Sequence, residues 1–337
     1  MHDLKHRGAR LLAAGERASR AVAGPLRTRY PGFLFGLPLP RNEVPIFNYH
    51  EVAPETLEPD LDYLRENGYA TLSLREFLQT MQAGARRRRA VLLTFDDAWS
   101  SFWTVAFPLL RKYQMRAVLF APTYWMDGHG PDGLFMGWDQ LRDCAASGFV
   151  EVQSHAHRHA LVHTSARLHG FATPESLART HFFNWPMRED DPGLGPPPPG
   201  TPVYGALPLL SATRRYIESA EAVRACRSFV AEQTDSFFSD SDAEGELRRH
   251  HAEVSARNPG RWATQEELER EMIVEFDRSR ERFEDELGYA PPYFAYPWML
   301  GNRRSFELAR RAGLTAAFGV GVDFRRARRR GLPLPVY

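Results

Sequence analysis

The chain has 337 residues, 43% of them hydrophobic and 25% charged, with a formal net charge of +1. That is enough chain to bury a full core, as one large domain or two ordinary ones, and the near-neutral balance carries no electrostatic footprint for nucleic acid. Its two cysteines, Cys144 and Cys226, lie far apart without CxxC spacing. They read as buried thiols in a reducing compartment, and exclude a disulfide framework and a cysteine-based zinc site.

Residues 1–43 form a basic extension. Leu4, Leu11, Leu12, Ala18 and Val22 recur at roughly helical spacing among Lys5, Arg7, Arg10, Arg17 and Arg20. A basic amphipathic helix on an anionic membrane surface fits this pattern. A solvated extension is the commoner outcome for so weakly apolar a segment. Gly15, Glu16, Arg17 and Arg20 interrupt the apolar run that a secretory signal needs, and no run is long enough to cross a bilayer. The expected location is the cytoplasm, with peripheral contact at the inner membrane face through the basic ends.

From residue 44 the pattern alternates. VPIFNYH (44–50) predicts a buried strand and residues 57–67 a helix. AVLLTF (90–95) predicts the next strand, after Arg86 to Arg89 on a loop. FPLLRKYQ (107–114) is helical, AVLFAPT (117–123) a strand, WDQLRDCAASG (138–148) a helix and VEVQSH (150–155) a strand. After a break, residues 264–288 predict a long helix with a capping box from Thr264 to Glu267 and a stop at Gly288. PYFAYP (292–297), the helix at 304–313 and TAAFGVG (315–321) complete the series. Apolar strands alternating with helices predict an α/β fold with about seven parallel strands, curled into a barrel or nearly so. In such a fold chemistry collects at the C-terminal ends of the strands.

Residues 160–263 break the alternation and carry FFNWP (182–186), the loop GLGPPPPGTP (193–202), the acidic stretch 235–246 and a helix near 220–232. An insertion of this length, following a strand end, is expected to lie over the active face. Residues 325–337 form a basic tail containing RRARRRG (325–331). No nucleic-acid recognition motif accompanies it, so a solvated tail or an anionic lipid or diphosphate contact is expected instead.

Three strand ends concentrate polar groups: His50 and Glu51, then Asp96 and Asp97, then His155, His157 and His159. Adjacent carboxylates at a buried strand end repel, so one of them must be neutralised, paired or metal-bound. A carboxylate with two histidines leaves coordination positions open for water and substrate. Each motif alone has a plain structural explanation: a helix N-cap for the aspartates, a surface cluster for the histidines. Their conjunction on strands of one apparent barrel points to a site.

The residues TFDD (94–97), SHAHRH (154–159), FAYPWMLGN (294–302) and NYHEV (48–52) resemble the motifs of the polysaccharide deacetylase family, the NodB-like fold of carbohydrate esterase family 4. The similarity is strongest to the branch acting on poly-N-acetylglucosamine. It covers roughly 44–159 and 264–321. It implies a distorted NodB-like (β/α) barrel and a divalent metal, zinc foremost, on Asp97, His155 and His159. It further implies Asp96 as general base, the Trp298 backbone N–H as oxyanion donor, and Tyr296 and Pro297 lining the groove. The implied reaction removes N-acetyl groups from a sugar; the large insertion points to a capped substrate such as a lipid- or nucleotide-linked sugar. Trp185, Phe182 and Phe183 of the insertion are candidates for stacking on that sugar, or for anchoring the insertion to the barrel.

The chain departs from the family pattern in three places. The arginine of the third motif is Ala295, its glycine is Met299, and no histidine follows His251. The acid that protonates the departing amine must then be His50, His157, His250, His251 or Asp96 itself; His50 is preferred because barrel strand ends converge. Another amide or ester hydrolase, or a silent glycan-binding barrel, would share the same scaffold.

Overall fold

The computed structural model describes residues 44–84, 89–189, 194–234, 236–320 and 334–336. The basic stretches 1–43 and 325–333, and Arg86 to Arg88, lie outside them.

The strands are β1 (Ile46–Tyr49), β2 (Ala70–Thr71), β3 (Ala90–Asp96), β4 (Ala117–Ala121), β5 (Val150–Ser154), β10 (Tyr293–Leu300), β11 (Ala316–Val320) and β12 (Leu334–Val336). All pair in parallel, in the order β1-β3-β4-β5-β10-β11-β12, with β2 pairing the start of β3 at Ala90 and Val91. The expected parallel barrel is therefore a sheet curled into part of a barrel, open between β1 and β12.

Period-two alternation splits the strand side chains between two cores. Val91, Leu93 and Phe95 of β3 and Ala117, Leu119 and Ala121 of β4 face an outer helical layer. That layer includes Leu57, Leu61 and Leu64 of α1 (Pro54–Glu66), and Phe107 and Leu110 of α3 (Phe107–Tyr113). Leu92, Val118 and Phe120 point the other way, against Leu74, Phe77 and Leu78 of α2 (Leu74–Ala83) and Phe318 of β11. Strand β2 and helix α2 are not among the elements predicted from the sequence. Helix α2 has clear signals nonetheless: the reciprocal capping box of Ser73 and Glu76, and Gly84 closing it at φ 59°.

Helix α4 (Trp138–Ala146) leads into β5, and α9 (Arg303–Arg311) joins β10 to β11. The long helix before β10 forms as its caps predict. Thr264 Oγ1 accepts from Glu267 N at 3.2 Å, Glu267 Oε2 accepts from Thr264 N at 2.7 Å, and Gly288 stops the helix at φ 75°. Its buried stripe comprises Leu268, Met272, Glu275, Phe276, Ser279 and Phe283. Two of these are polar.

The insertion is ordered through its described length. A hairpin of β6 (Leu161–Phe171) and β7 (Pro202–Pro208) pairs antiparallel, with the short α5 (Pro174–Arg179) between them. Helices α6 (Ala220–Ala231) and α7 (Ala243–Arg257) pack beside it, around Phe171, Cys226, Phe237 and Leu247. The two-residue strands β8 (Tyr216–Ile217) and β9 (Arg261–Trp262) pair before the long helix α8 (Gln265–Leu287). Both cysteines are buried free thiols. No described helix is long and apolar enough to cross a membrane.

Candidate metal centre

The strand β3 is wholly buried along AVLLTFD. The chain then leaves β geometry abruptly, with Asp97 at φ 72° and Ala98 at φ 51°. Non-glycine residues occupy this left-handed region at a cost of about 1–3 kcal/mol each, and they cluster where a site requires it. The turn separates the two carboxylates. Asp96 continues the strand, and Asp97 turns towards the loop after β5.

That loop repeats the device. His155 follows β5, Ala156 has φ 68° and His159 φ 52°. One carboxylate oxygen of Asp97 and one ring nitrogen from each of His155 and His159 lie within 4.8 Å of one another, all three residues buried. Asp97 Oδ1 stands 3.4 Å from His155 Nε2 and 3.3 Å from His159 Nε2, without a hydrogen-bond partner of good geometry. The other oxygen, Oδ2, accepts from Trp99 Nε1 at 3.1 Å.

His155 Nδ1 donates to the Ala295 carbonyl at 2.9 Å, which leaves Nε2 as a lone-pair donor facing Asp97. Converging lone pairs repel unless a cation lies among them. Spacings near 3.3–3.4 Å are also about the edge of a tetrahedron with bonds of about 2.0–2.1 Å. The residues present therefore fit a divalent ion. Burial pushes the His159 imidazole down to about 3, so it stays neutral and able to ligate, whereas at His155 burial is outweighed by the Asp96 and Asp97 carboxylates, which raise the imidazole. Burial alone would raise the Asp97 carboxyl, but the His159 and His155 rings hold it well below the carboxylate range.

Asp96 is 5% exposed, and burial pushes its carboxyl up, opposed by the His155 imidazole and reinforced by the Asp97 charge. Its Oδ2 accepts from Asn48 Nδ2 at 3.0 Å, and Thr94 Oγ1 donates to Asn48 Oδ1 at 3.0 Å. Asn48, which the sequence reading passed over, thus supports Asp96 although Ala295 replaces the third-motif arginine. His50 Nε2 stands 3.9 Å from the same Asp96 oxygen on an exposed side chain.

The structure gathers Asp96, Asp97, His155, His159, His50 and Trp298 in one place. The Trp298 ring lies 4.1 Å from that of His159, on an irregular stretch of β10 where Trp298 and Met299 have φ 52° and 57°. Other candidates are displaced. His157 bonds through Nδ1 to Thr123 Oγ1 at 2.8 Å, and its ring abuts Tyr124. His250 stacks on Phe229, and His251 bonds to the Tyr204 hydroxyl at 2.7 Å; both are engaged within the insertion's own packing.

The groove-lining expectations also need correction. Tyr296 is 2% exposed, packed edge-on against Phe294, with Gly301 so close that a Cβ there would sit 2.7 Å from the ring. Pro297 is buried beside Ala156 and Glu275, behind the histidine loop, and Trp185 is only 6% exposed. None of the three offers a face to a sugar; all are packing residues. An aromatic cluster stands beside His159, with Phe183 itself only 5% exposed. Phe183 lies 4.3 Å from the His159 ring, and Phe182, Phe183 and the exposed His181 gather against Trp99, Trp125 and Phe135.

Comparison with known proteins agrees with this geometry. Residues 83–177, which include the DD turn and the histidine loop, match the polysaccharide deacetylase family. A poly-beta-1,6-N-acetyl-D-glucosamine N-deacetylase of Escherichia coli K12 is 30% identical over 142 residues, spanning 35% of this chain and 21% of that protein. One from Staphylococcus aureus is 29% identical over 117 residues, spanning 33% of this chain and 39% of its own. The chain thus matches well under half the length of either relative. The deacetylase domain of BpsB from Bordetella bronchiseptica superposes with a TM-score of 0.53 at 19% identity, covering 84% of this chain and 90% of that one. A de-N-acetylase from Aggregatibacter actinomycetemcomitans gives 0.51 at 18%, covering 83% and 89%. The fold is shared with these two structures, and residues 83–177 are similar to the polysaccharide deacetylase family.

Proposed function

We propose that this protein is a metal-dependent N-deacetylase of an N-acetylated sugar or glycoconjugate. The observation that carries the reading is the buried convergence of Asp97, His155 and His159, with a second carboxylate, Asp96, beside it but held by different partners. A divalent ion on those three ligands, zinc in our reading, would supply Lewis acidity towards the acetamide oxygen and acidify water. Asp96 takes the proton of the water that adds to the acetamide carbon. The Trp298 backbone N–H faces the developing oxyanion. The C–N bond then breaks, releasing acetate, and His50 gives the departing amine its proton. His50 is exposed on the open side, and its 3.9 Å separation from Asp96 supports a role beside the base.

The shelf of Phe182, Phe183 and His181 walls one side of the centre. This supports a short or capped substrate, lipid- or nucleotide-linked, over the interior of a long polymer. We place the reaction in the cytoplasm, at or near the inner membrane face.

Acetate release from lipid-linked, nucleotide-linked and polymeric N-acetyl sugars, measured with added zinc or cobalt, tests the whole reading. Preference for the short linked substrates is the expected result. No acetate from any of them, with metal bound, would sink it.

A further inference from the structure

The loop carrying both imidazoles is gripped on its two sides. Its carbonyls are taken from the segment after β4: Ala156 O accepts from Thr123 N at 3.3 Å, His157 O from Tyr124 N at 2.9 Å, and Arg158 O from Trp125 Nε1 at 3.0 Å. Its amides are taken from α8. Ser279 Oγ bonds to Ser154 Oγ at 2.8 Å, and Ser154 Oγ accepts from Ala156 N at 3.3 Å. One turn earlier in α8, Glu275 Oε2 accepts from His157 N at 3.1 Å and Arg158 N at 2.8 Å, while Oε1 accepts from Arg158 Nε at 2.5 Å. Glu275 is 1% exposed. Three consecutive amides between the two histidines thus end on side chains of, or bonded to, one helix.

We infer that Glu275 is a positioning residue for the metal centre: its carboxylate holds amides 157 and 158 so that His155 and His159 converge on Asp97. The inference rests on the metal-site reading above. The physical reason is conformational. Ala156 and His159 both stand at positive φ, which the loop relinquishes unless its neighbours over-determine it. A buried carboxylate accepting two backbone N–H groups and a guanidinium is a strong local constraint. It is also a poor choice for an apolar helix stripe unless those donors are there to meet it.

Cobalt(II) binding to the full chain provides the test, with affinity from chelator competition and coordination geometry from the visible ligand-field bands. Glu275→Ala is expected to bind cobalt about 10–100-fold more weakly and to alter the bands. Glu275→Gln keeps an oxygen for the two amides but turns an NH2 towards Arg158, so it should fall between parent and alanine variant. Glu275→Ala with parental affinity and bands overturns the proposal. If that variant does not fold, Glu275→Gln with parental affinity and bands overturns it instead. A parent chain that binds no cobalt overturns the metal site itself, and this inference with it.

Discussion

The curled sheet and the insertion bury polar groups for different ends. In the sheet, buried polar side chains collect at the ends of β3 and β5 and aim at a common centre. In the insertion they pair off locally: His163 Nδ1 with Glu218 Oε2 at 3.1 Å, Tyr204 with His251, Arg215 with Glu189 at 2.6 Å. Both regions leave buried atoms without a hydrogen-bond partner, Glu218 Oε1 in the insertion as well as Asp97 Oδ1 beside the sheet, but among the described residues it is Asp97 that meets two further ligand atoms. Groups that partner each other hold a fold together; groups left facing one another await a ligand. The two regions touch at the aromatic shelf, where Phe183 covers His159, and through Arg215, whose guanidinium also stands 3.8 Å from Glu271 of α8.

Substitutions of the paired aspartates should have the largest effects. Asp96→Asn is expected to lower turnover by about 10²–10⁴-fold while metal content stays stoichiometric. Asp97→Asn should lose the metal as well, and metal analysis alongside acetate release separates the two. Reversed outcomes would exchange their roles. Phe183→Ala joins the regions in one experiment. Truncating a buried phenylalanine costs about 3–5 kcal/mol, read as a lower denaturation midpoint, and it uncovers His159. If stability falls while the metal affinity and KM remain parental, the shelf is packing alone.

Glu218→Gln should act on the insertion only, costing about 1–3 kcal/mol with metal affinity unchanged. Its pH counterpart follows from the carboxyl itself. Burial would raise Glu218, but the hydrogen bond and charge of His163 hold it below the ordinary carboxylate range. The stabilisation is therefore complete above that range and lost as pH falls through the lower native value. Protease nicking of the insertion should rise on acidification, and Glu218→Gln should flatten that rise. A smaller effect is expected at Trp262, which is 43% exposed, lies 5.4 Å from the Tyr216 ring and has Arg214 4.6 Å over its face. Trp262→Ser should cost about 0.5–1 kcal/mol in a denaturation curve and leave activity alone.

Much of this contrast is legible in the chain before folding. Continuous apolar runs mark β3 and β4 because central parallel strands are covered on both faces, whereas the edge strand β1, expected to be buried, leaves Phe47 37% exposed. Asp96, Asp97, His155 and His159 stand out as polar groups at strand ends. Helix α8 announces itself through Thr264, Glu267 and Gly288. Even Glu275 has a signal, a carboxylate on the stripe that also carries Met272 and Phe276. Helix α2 was readable from Ser73, Glu76 and Gly84.

What those patterns determined is where the central strands and the capped helices run, since periodicity and capping depend on neighbours within a turn or two. Which groups meet was decided only by the tertiary fold. Asn48 reaches Asp96 across 48 residues, Ala295 orients His155 across 140, and Glu275 holds His157 across 118. Tyr296, Pro297 and Trp185 show the converse: their ring types suit a sugar, but the fold turns them inward. A side chain's chemistry is local, whereas its partner depends on how distant strands and helices are brought into register.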